Sequence, residues 1–324
     1  MSTAIDNNQP GPTRVVRTPT LSDLESAWQV VHEILPPTPL VPSPIARNGF
    51  LKLETCQPVG AFKVRGALAA ISALEGNQRV VTASAGNHGL GVAWAASRLE
   101  RSATVVVPEH ASPAKVAALR ANPIELLEHG AGYDDAETYA LQLGARDGAA
   151  FVSPYNDPAV IAGQGTIGLE LDSQAGGELT VVAPVGGGGL LSGLKLWAHS
   201  REGIHLVGVE SSESRAVSAA IAAGRIEHVP VGPTIADGLA GNLEPGSVTP
   251  EMLAAVPLLS VDDSEIRVAM RWLFAQHGLV AEGAGAAGVA AVLASKVEHA
   301  GQLVVVISGR NIAAARYAEI LQES

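Results

Sequence analysis

The chain has 324 residues, of which 47% are hydrophobic but only 4% aromatic, and its formal net charge is -11. This length fits one large or two medium globular domains, and an aliphatic core favours helices alternating with buried parallel strands over a β-sandwich. The acidic balance excludes an extended nucleic-acid footprint. The single cysteine, Cys56, excludes an intrachain disulfide framework and a cysteine-rich zinc site.

The sequence contains no apolar run long enough to span a bilayer, and no charged N-terminal region followed by an apolar stretch. A single cysteine is also typical of a reducing compartment. We therefore expect a cytoplasmic protein with neither a membrane nor a nucleic-acid partner.

The first predicted helix begins at Ser22-Asp23-Leu24-Glu25, which has the pattern of a capping box and opens a helix to about Leu35. Pro36, Pro37 and Pro39 end it.

After this helix, short β-branched runs alternate with alanine-rich helical stretches. Strands are predicted at 80–83, 104–107, 124–127, 180–183, 206–209 and 303–307, and helices at 61–75, 87–99, 112–120, 134–145, 158–172, 190–200, 213–223, 262–277, 284–297 and 311–322. This alternation predicts parallel α/β sheets. Because such sheets bind ligands at the carboxyl ends of their strands, the strand-to-helix turns are the segments in which to seek a site.

One such turn contains four consecutive glycines, Gly186, Gly187, Gly188 and Gly189, followed by Leu190. Glycines leave the backbone N–H groups unshielded, and a helix N-terminus attracts anions, so this turn predicts a phosphate site. A tight turn is the alternative, although one glycine would suffice for that. The segment Gly283–Gly288 also matches G-x-G-x-x-G, but no β-α-β unit surrounds it, which favours helix packing through small residues over a dinucleotide site.

Lys63 is the candidate catalytic residue. It is one of only five lysines, and it ends the sequence Gly60-Ala61-Phe62-Lys63, which precedes an alanine-rich helix. Burial near a helix N-terminus would lower the pKa of its ammonium group, as an imine-forming lysine requires. Taken alone, Lys63 would be read as a surface lysine that starts a helix. Two further clusters change that interpretation: Ser84-Ala85-Gly86-Asn87-His88 after one predicted strand, and Ser308-Gly309-Arg310-Asn311 after the last.

Together these clusters resemble, in order and approximate spacing, the pyridoxal-phosphate enzymes of fold type II, and most closely the threonine/serine ammonia-lyase (dehydratase) and serine racemase group. The resemblance extends over about residues 35–315 and includes Ile161–Thr166 and Thr234–Gly238. It implies two parallel-sheet α/β domains of the tryptophan-synthase-β-like kind. A large cofactor-binding domain would comprise residues 1–79 plus 156–324, and a small domain of residues 80–155 would be inserted into it.

The resemblance also implies a role for each matching residue. Lys63 would form the Schiff base with the cofactor, Phe62 and the Gly238 backbone would lie by its ring, Asn87 would bond the ring hydroxyl, and Ser308 would meet the pyridine nitrogen. Gly186, Gly187, Gly188, Gly189 and Leu190 would hold the phosphate, while Ser84, Ala85, Gly86, Asn87 and His88 would bind the substrate carboxylate. A glutamate near the cofactor in relatives aligns with Glu282, which is equally compatible with an acid at a helix start.

Two departures from the family pattern narrow the function. In serine racemases the position of Ala85 is a serine that acts as acid and base on the cofactor face opposite the lysine. Alanine cannot do this, so elimination is favoured over racemisation. Racemase-like members also bind a divalent cation through a glutamate and an aspartate six residues apart; Glu210 matches the first, but Ala216 occupies the second, so we predict no metal site. Arg310 replaces a glycine usual in the family.

We therefore expect a pyridoxal-phosphate-dependent ammonia-lyase that acts as a homodimer. It would catalyse α,β-elimination of a β-hydroxy amino acid, L-threonine or L-serine first, to give a 2-oxo acid and ammonia. Within the cofactor family the alternatives are a hydroxyaspartate or phenylserine dehydratase, a serine racemase and a β-replacement synthase. Outside it they are a nicotinamide-dependent oxidoreductase and a non-catalytic protein that binds pyridoxal phosphate or a small anion. The sequence leaves the side chain of the substrate open.

Overall fold

The computed structural model describes residues 14–323. The strands are β1 (Leu40–Ser43), β2 (Gly49–Leu53), β3 (Val80–Ala83), β4 (Ala103–Val107), β5 (Glu125–Glu128), β6 (Ala150–Phe151), β7 (Leu179–Pro184), β8 (Ile204–Ser211), β9 (Leu258–Val261) and β10 (Gln302–Ile307). The helices are α1 (Leu21–Ile34), α2 (Lys63–Ser72), α3 (Asn87–Arg98), α4 (Pro113–Arg120), α5 (Tyr133–Asp147), α6 (Pro158–Gln174), α7 (Gly189–Ala198), α8 (Ala216–Ala223), α9 (Thr249–Leu253), α10 (Asp263–His277), α11 (Gly283–Leu293) and α12 (Ala314–Gln322). Glu54–Cys56 and Asp237–Leu239 form short 3-10 helices.

The strands form two sheets, as the predicted α/β class requires. The larger sheet has the order β1-β2-β10-β7-β8-β9 and is parallel except for the β1–β2 pair. The smaller sheet has the order β5-β4-β3-β6 and is entirely parallel. The predicted domain boundary at 79/80 lies between β2 and β3, and the one at 155/156 lies between β6 and β7. The division of the chain into domains at these positions stays a prediction.

Three interior strands, β3, β4 and β7, are buried along their whole length, which explains their predominantly apolar sequences. Every residue of β4 and β7 is buried, because helices cover both faces of each sheet. On the larger sheet, one apolar cluster is built around Trp197 of α7 and another around the alanines of α11. No helix within residues 14–323 is both long and apolar enough to cross a membrane.

The start of α1 differs from the prediction. Thr20, not Ser22, is the N-cap, and its hydroxyl accepts a hydrogen bond from the Asp23 N–H while the Asp23 carboxylate accepts one from the Thr20 N–H. The predicted box was therefore wrong by two residues. Arg17 helps to hold Asp23 in this capping position, because the Arg17 guanidinium pairs with the Asp23 carboxylate at 2.6 Å.

Candidate active site

A cavity of about 660 Å³ opens at the carboxyl ends of β3, β7 and β10. All the residues predicted for the site line it: Phe62, Lys63, Ser84, Ala85, Gly86, Asn87, His88, Gly186, Gly187, Gly188, Gly189, Leu190, Gly238 and Ser308. The cavity lies where parallel sheets place their ligands.

Lys63 is the first residue of α2, and its side chain points into this cavity. The Phe62 N–H donates to the Ser308 carbonyl at 3.0 Å, which ties the start of α2 to the end of β10. The Lys63 ammonium donates to the Pro154 carbonyl at 2.6 Å. Burial lowers the pKa of Lys63 from 10.5 to about 8, against the opposing effect of the Glu282 charge. A lysine with this pKa is partly uncharged near neutral pH and can act as a base or nucleophile.

The glycine run forms the turn between β7 and α7. Gly188 has a φ of 88°, which glycine adopts without strain. The first bond of α7 runs from the Ser192 N–H to the Gly188 carbonyl, so the N–H groups of Gly189 and Leu190 have no partner within the helix. These N–H groups and the positive end of the helix dipole suit an anion.

Tyr155 forms the floor beneath this turn. A methyl group at Gly187 would lie 2.3 Å from the Tyr155 ring, and one at Gly189 would lie 2.9 Å from its backbone. The Tyr155 hydroxyl oxygen accepts a 2.5 Å hydrogen bond from the Glu244 N–H, so the ring is fixed. Only glycine fits this close approach.

A second helix N-terminus faces the cavity at α3. Its first bond runs from the Leu90 N–H to the Gly86 carbonyl, which leaves the N–H groups of Asn87 and His88 without a partner in the helix. His88 donates from Nε2 to the Val152 carbonyl at 3.0 Å, and burial followed by the nearby Lys63 charge lowers its pKa to about 3. The imidazole is therefore neutral.

Glu282 and Asn311 bracket Asn87. The Asn87 Nδ2 donates to Glu282 Oε1 at 2.6 Å, and the Asn311 Nδ2 donates to Asn87 Oδ1 at 2.7 Å. Glu282 is the N-cap residue of α11, but its side chain makes no capping bond. It belongs to the cavity wall, and burial raises its pKa to about 8 despite the Asn87 hydrogen bond.

The comparisons with known proteins agree with this geometry. Residues 31–309 match the family model described as pyridoxal-phosphate dependent enzyme. The chain belongs to this family. The chain is 40% identical over 305 residues to the L-threonine ammonia-lyase of Thermotoga maritima, and the alignment covers 90% of this chain and 76% of the relative. It is 34% identical over 319 residues to the catabolic L-threonine dehydratase TdcB of Staphylococcus aureus, covering 94% and 92%.

Solved structures give the same family and fold. Threonine deaminase from T.th. superposes with a TM-score of 0.84 at 36% identity, covering 91% of this chain and 99% of that one. Maize serine racemase superposes with a TM-score of 0.87 at 29% identity, covering 94% and 97%. The predicted pyridoxal-phosphate family and two-domain α/β fold are thus confirmed.

Glu210, which aligns with a metal-binding glutamate of racemase-like members, does not line the cavity. One carboxylate oxygen accepts hydrogen bonds from the N–H groups of Val217 at 3.1 Å and Ser218 at 3.2 Å, and the other bonds the Ser218 hydroxyl. Glu210 therefore caps α8, which explains why that helix begins at Ala216 rather than at 213. Within residues 14–323 no cluster of three or more His, Cys, Asp and Glu suits a metal ion.

The Gly283–Gly288 segment packs α11 against the rest of the family fold. A methyl group at Gly285 would lie 2.3 Å from the Gly309 carbonyl oxygen, and one at Gly288 would lie 2.8 Å from Val305. The preceding Leu279–Ala281 forms no strand. The segment therefore serves helix packing, as the sequence favoured.

Sequence reasoning missed the residues at the cavity mouth. Lys115 of α4 pairs with Asp237 of the second 3-10 helix, and Tyr133 at the start of α5 lines the same region. No local motif distinguishes these residues. Arg310 is exposed at the rim, and its side chain lies against Gly60, where a methyl group would sit 3.0 Å from Nε.

Proposed function

We propose that this protein is a pyridoxal-phosphate-dependent ammonia-lyase that eliminates water from a β-hydroxy amino acid, L-threonine or L-serine first. A water molecule then hydrolyses the resulting enamine to a 2-oxo acid and ammonia. The observation that carries the proposal is a lysine with a pKa of about 8 in a cavity faced by two helix N-termini. The names of the relatives described above support the same reaction class.

The residues of the cavity fit the cofactor. The unpartnered N–H groups at Gly189 and Leu190, with Gly186, Gly187 and Gly188, would hold its phosphate. Asn87 would meet the ring hydroxyl, Ser308 the ring nitrogen, and Phe62 and Gly238 the ring. A methyl group at Gly186 would lie 3.0 Å from the Gly238 carbonyl oxygen, so this part of the cradle is also closely packed. When bound, pyridoxal phosphate draws electrons from the amino-acid Cα and acidifies its proton.

The Lys63 Nζ takes the Cα proton in this proposal. Burial disfavours its charged form and lowers its pKa to about 8, so a minor fraction of the amine is uncharged at neutral pH and can accept a proton. At low pH the amine is protonated and inactive as a base. We therefore expect activity to rise with pH.

The loop Ser84, Ala85, Gly86, Asn87 and His88 would bind the substrate carboxylate at the N-terminus of α3. The Ser84 hydroxyl accepts a 3.1 Å hydrogen bond from the Gly86 N–H, which holds the loop in shape. Because the side chain of Ala85 is a methyl group, the loop has no hydroxyl at that position that could donate or accept a proton as a second acid or base. This supports elimination over racemisation.

A purified-protein assay tests the proposal. We expect a visible Schiff-base absorption band that is lost in Lys63→Ala and retained in Lys296→Ala, whose ammonium lies outside the cavity on Glu265 and the Ser260 carbonyl. L-threonine and L-serine should give a 2-oxo acid and ammonia. Hydroxyaspartate and phenylserine are tested as alternative substrates. Chiral product analysis tests for racemisation, and sulfide dependence tests for β-replacement. A protein that takes up no pyridoxal phosphate would refute the proposal.

We also propose that the enzyme works in the cytoplasm as a homodimer. Its single cysteine supports a reducing compartment, and the dimer is inferred from the family resemblance. Light scattering of the cofactor-loaded protein gives the mass; a monomer would contradict the dimer.

A further inference from the structure

We infer that Asn311 is a positioning residue, which fixes the orientation of the Asn87 amide so that Asn87 presents a hydrogen-bond donor to the cavity. This inference rests on the proposed function, in which Asn87 faces the ring oxygen of the cofactor. It concerns a residue outside the predicted binding set.

A backbone carbonyl fixes the orientation of the Asn311 side-chain amide. The Asn311 Nδ2 donates one hydrogen to the Val59 carbonyl at 2.8 Å and the other to Asn87 Oδ1 at 2.7 Å. A backbone carbonyl can only accept, so the Asn311 amide cannot be turned around without setting two oxygens against each other. Both Asn311 hydrogens are then used, and the Asn87 atom that faces them must be its oxygen.

The Asn87 Nδ2 must consequently face the other way. One of its hydrogens goes to Glu282 Oε1 at 2.6 Å, and the second remains for a ligand in the cavity that Asn87 lines. The Val59 carbonyl thus sets the donor-to-acceptor direction of a hydrogen-bond network that runs through Asn311 and Asn87 to Glu282.

Glu282 cannot set this polarity by itself. Burial raises its pKa to about 8, so near neutral pH its carboxyl carries a proton and can either donate or accept. With Asn311 removed, the Asn87 amide could turn over and accept from Glu282, and its carbonyl oxygen would then face the cavity. An anionic ring oxygen would meet an acceptor in place of a donor, which is repulsive.

Asn311 also joins three separate segments. Val59 lies in the loop before Lys63, Asn87 begins α3, and Asn311 itself follows β10. Gly60 allows this contact, because a methyl group there would lie 2.8 Å from the Asn311 Oδ1. The orientation of Asn87 is therefore set relative to the loop that carries Lys63.

The test uses Asn311→Asp, which keeps the shape of the side chain but removes both donor hydrogens. The matched control is Asn122→Asp, because Asn122 is half-buried, lies outside the set of residues that line the cavity, and donates from its side-chain amide to the Ala118 and Leu119 carbonyls. Pyridoxal phosphate is titrated into the cofactor-free proteins, and the dissociation constant and the pH at which the visible band changes are measured. We expect Asn311→Asp to weaken binding about 10- to 100-fold, because a hydrogen bond to a charged oxygen is lost, and to shift the spectral midpoint. Asn122→Asp should do neither.

A double-mutant cycle separates positioning from structural support. If Asn311 acts through Asn87, Asn311→Asp has little further effect on cofactor binding in an Asn87→Ala background. Should Asn311→Asp lower the unfolding midpoint of the cofactor-free protein more than Asn122→Asp does, the cycle is run with Asn311→Ala. Additive effects, or unchanged binding and spectrum, would overturn the inference. If the parent protein itself binds no pyridoxal phosphate, the proposed function fails instead.

Discussion

Arg65 lies two residues after Lys63 on α2 and is fully buried, so its replacement by methionine tests what holds that helix in place. Its guanidinium makes two 2.8 Å hydrogen bonds to the carboxylate of Glu54 and a 2.7 Å ion pair with Glu170. Lys52 pairs with the same Glu170 at 2.5 Å. The cluster thus balances two cations against two carboxylates, and Arg65→Met leaves two carboxylates facing one ammonium.

Removing one partner of a buried ion pair costs about 3–5 kcal/mol of the free energy of unfolding, because the other charge stays buried. The control is Arg225→Met, since Arg225 and Glu227 form an exposed pair with side chains 77% and 40% accessible. Such surface pairs contribute about 0–1 kcal/mol. The two variants should therefore differ by several kcal/mol.

The loss should also depend on pH. Burial by itself would raise the pKa of Glu54, but the charge and hydrogen bonds of Arg65 lower it below the ordinary value of 4.5. In the parent, Glu54 therefore stabilises the fold above this value, and the contribution is lost as the pH falls. In Arg65→Met, burial without Arg65 should raise the pKa of the Glu54 carboxyl instead. The variant is therefore most destabilised at neutral and alkaline pH. The difference in free energy of unfolding between variant and parent should narrow as the pH falls towards 4.5.

Urea denaturation of the full chain, followed by tryptophan fluorescence with and without cofactor, measures these differences. Glu54→Gln in the Arg65→Met background should restore part of the loss, because it removes one of the two uncompensated carboxylates. If Arg65→Met stays within about 1 kcal/mol of Arg225→Met at pH 8, the argument from buried charge is refuted.

Three further predictions concern the cofactor cradle, the carboxylate loop and the first helix. Gly187→Ala places a methyl group against the Tyr155 ring, and overpacking of about 1–3 kcal/mol weakens pyridoxal phosphate binding by about 5- to 150-fold in equilibrium dialysis. Gly176→Ala, in open space, leaves it unchanged. Ala85→Ser supplies a hydroxyl in the carboxylate loop and raises D-serine formation from L-serine relative to 2-oxo acid; an unchanged ratio by chiral chromatography contradicts the proposed role of Ala85. Asp23→Ala removes the first-turn carboxylate that bonds the Thr20 N–H, and it costs about 0.3–1 kcal/mol at neutral pH. Because the Arg17 hydrogen bond lowers the pKa of Asp23, variant and parent should converge in thermal melts as the pH falls below 3.8.

The strands that sequence reasoning missed have physical explanations. β1, β6 and β9 are edge strands of two to four residues, too short to show a pattern. β1 also contains Pro42, which an edge strand tolerates but which argues against a strand when read in isolation. β2 lies inside the larger sheet, yet Lys52 interrupts its apolar sequence. Partners distant in sequence make that buried lysine acceptable, because Glu170 pairs with its ammonium while the Thr38 carbonyl and the Gln174 side-chain oxygen accept hydrogen bonds from it.

The sequence by itself determined the strand-to-helix turns that form the site and the single lysine with suitable neighbours. Glycines, a helix start and a preceding apolar strand are local features, so they can be read from adjacent residues. Only the tertiary structure decided what surrounds them. Glu282 meets Asn87 across 195 residues of sequence, and the Tyr155 ring closes against Gly187. Such contacts depend on how the two sheets and their helices pack, which no local pattern encodes.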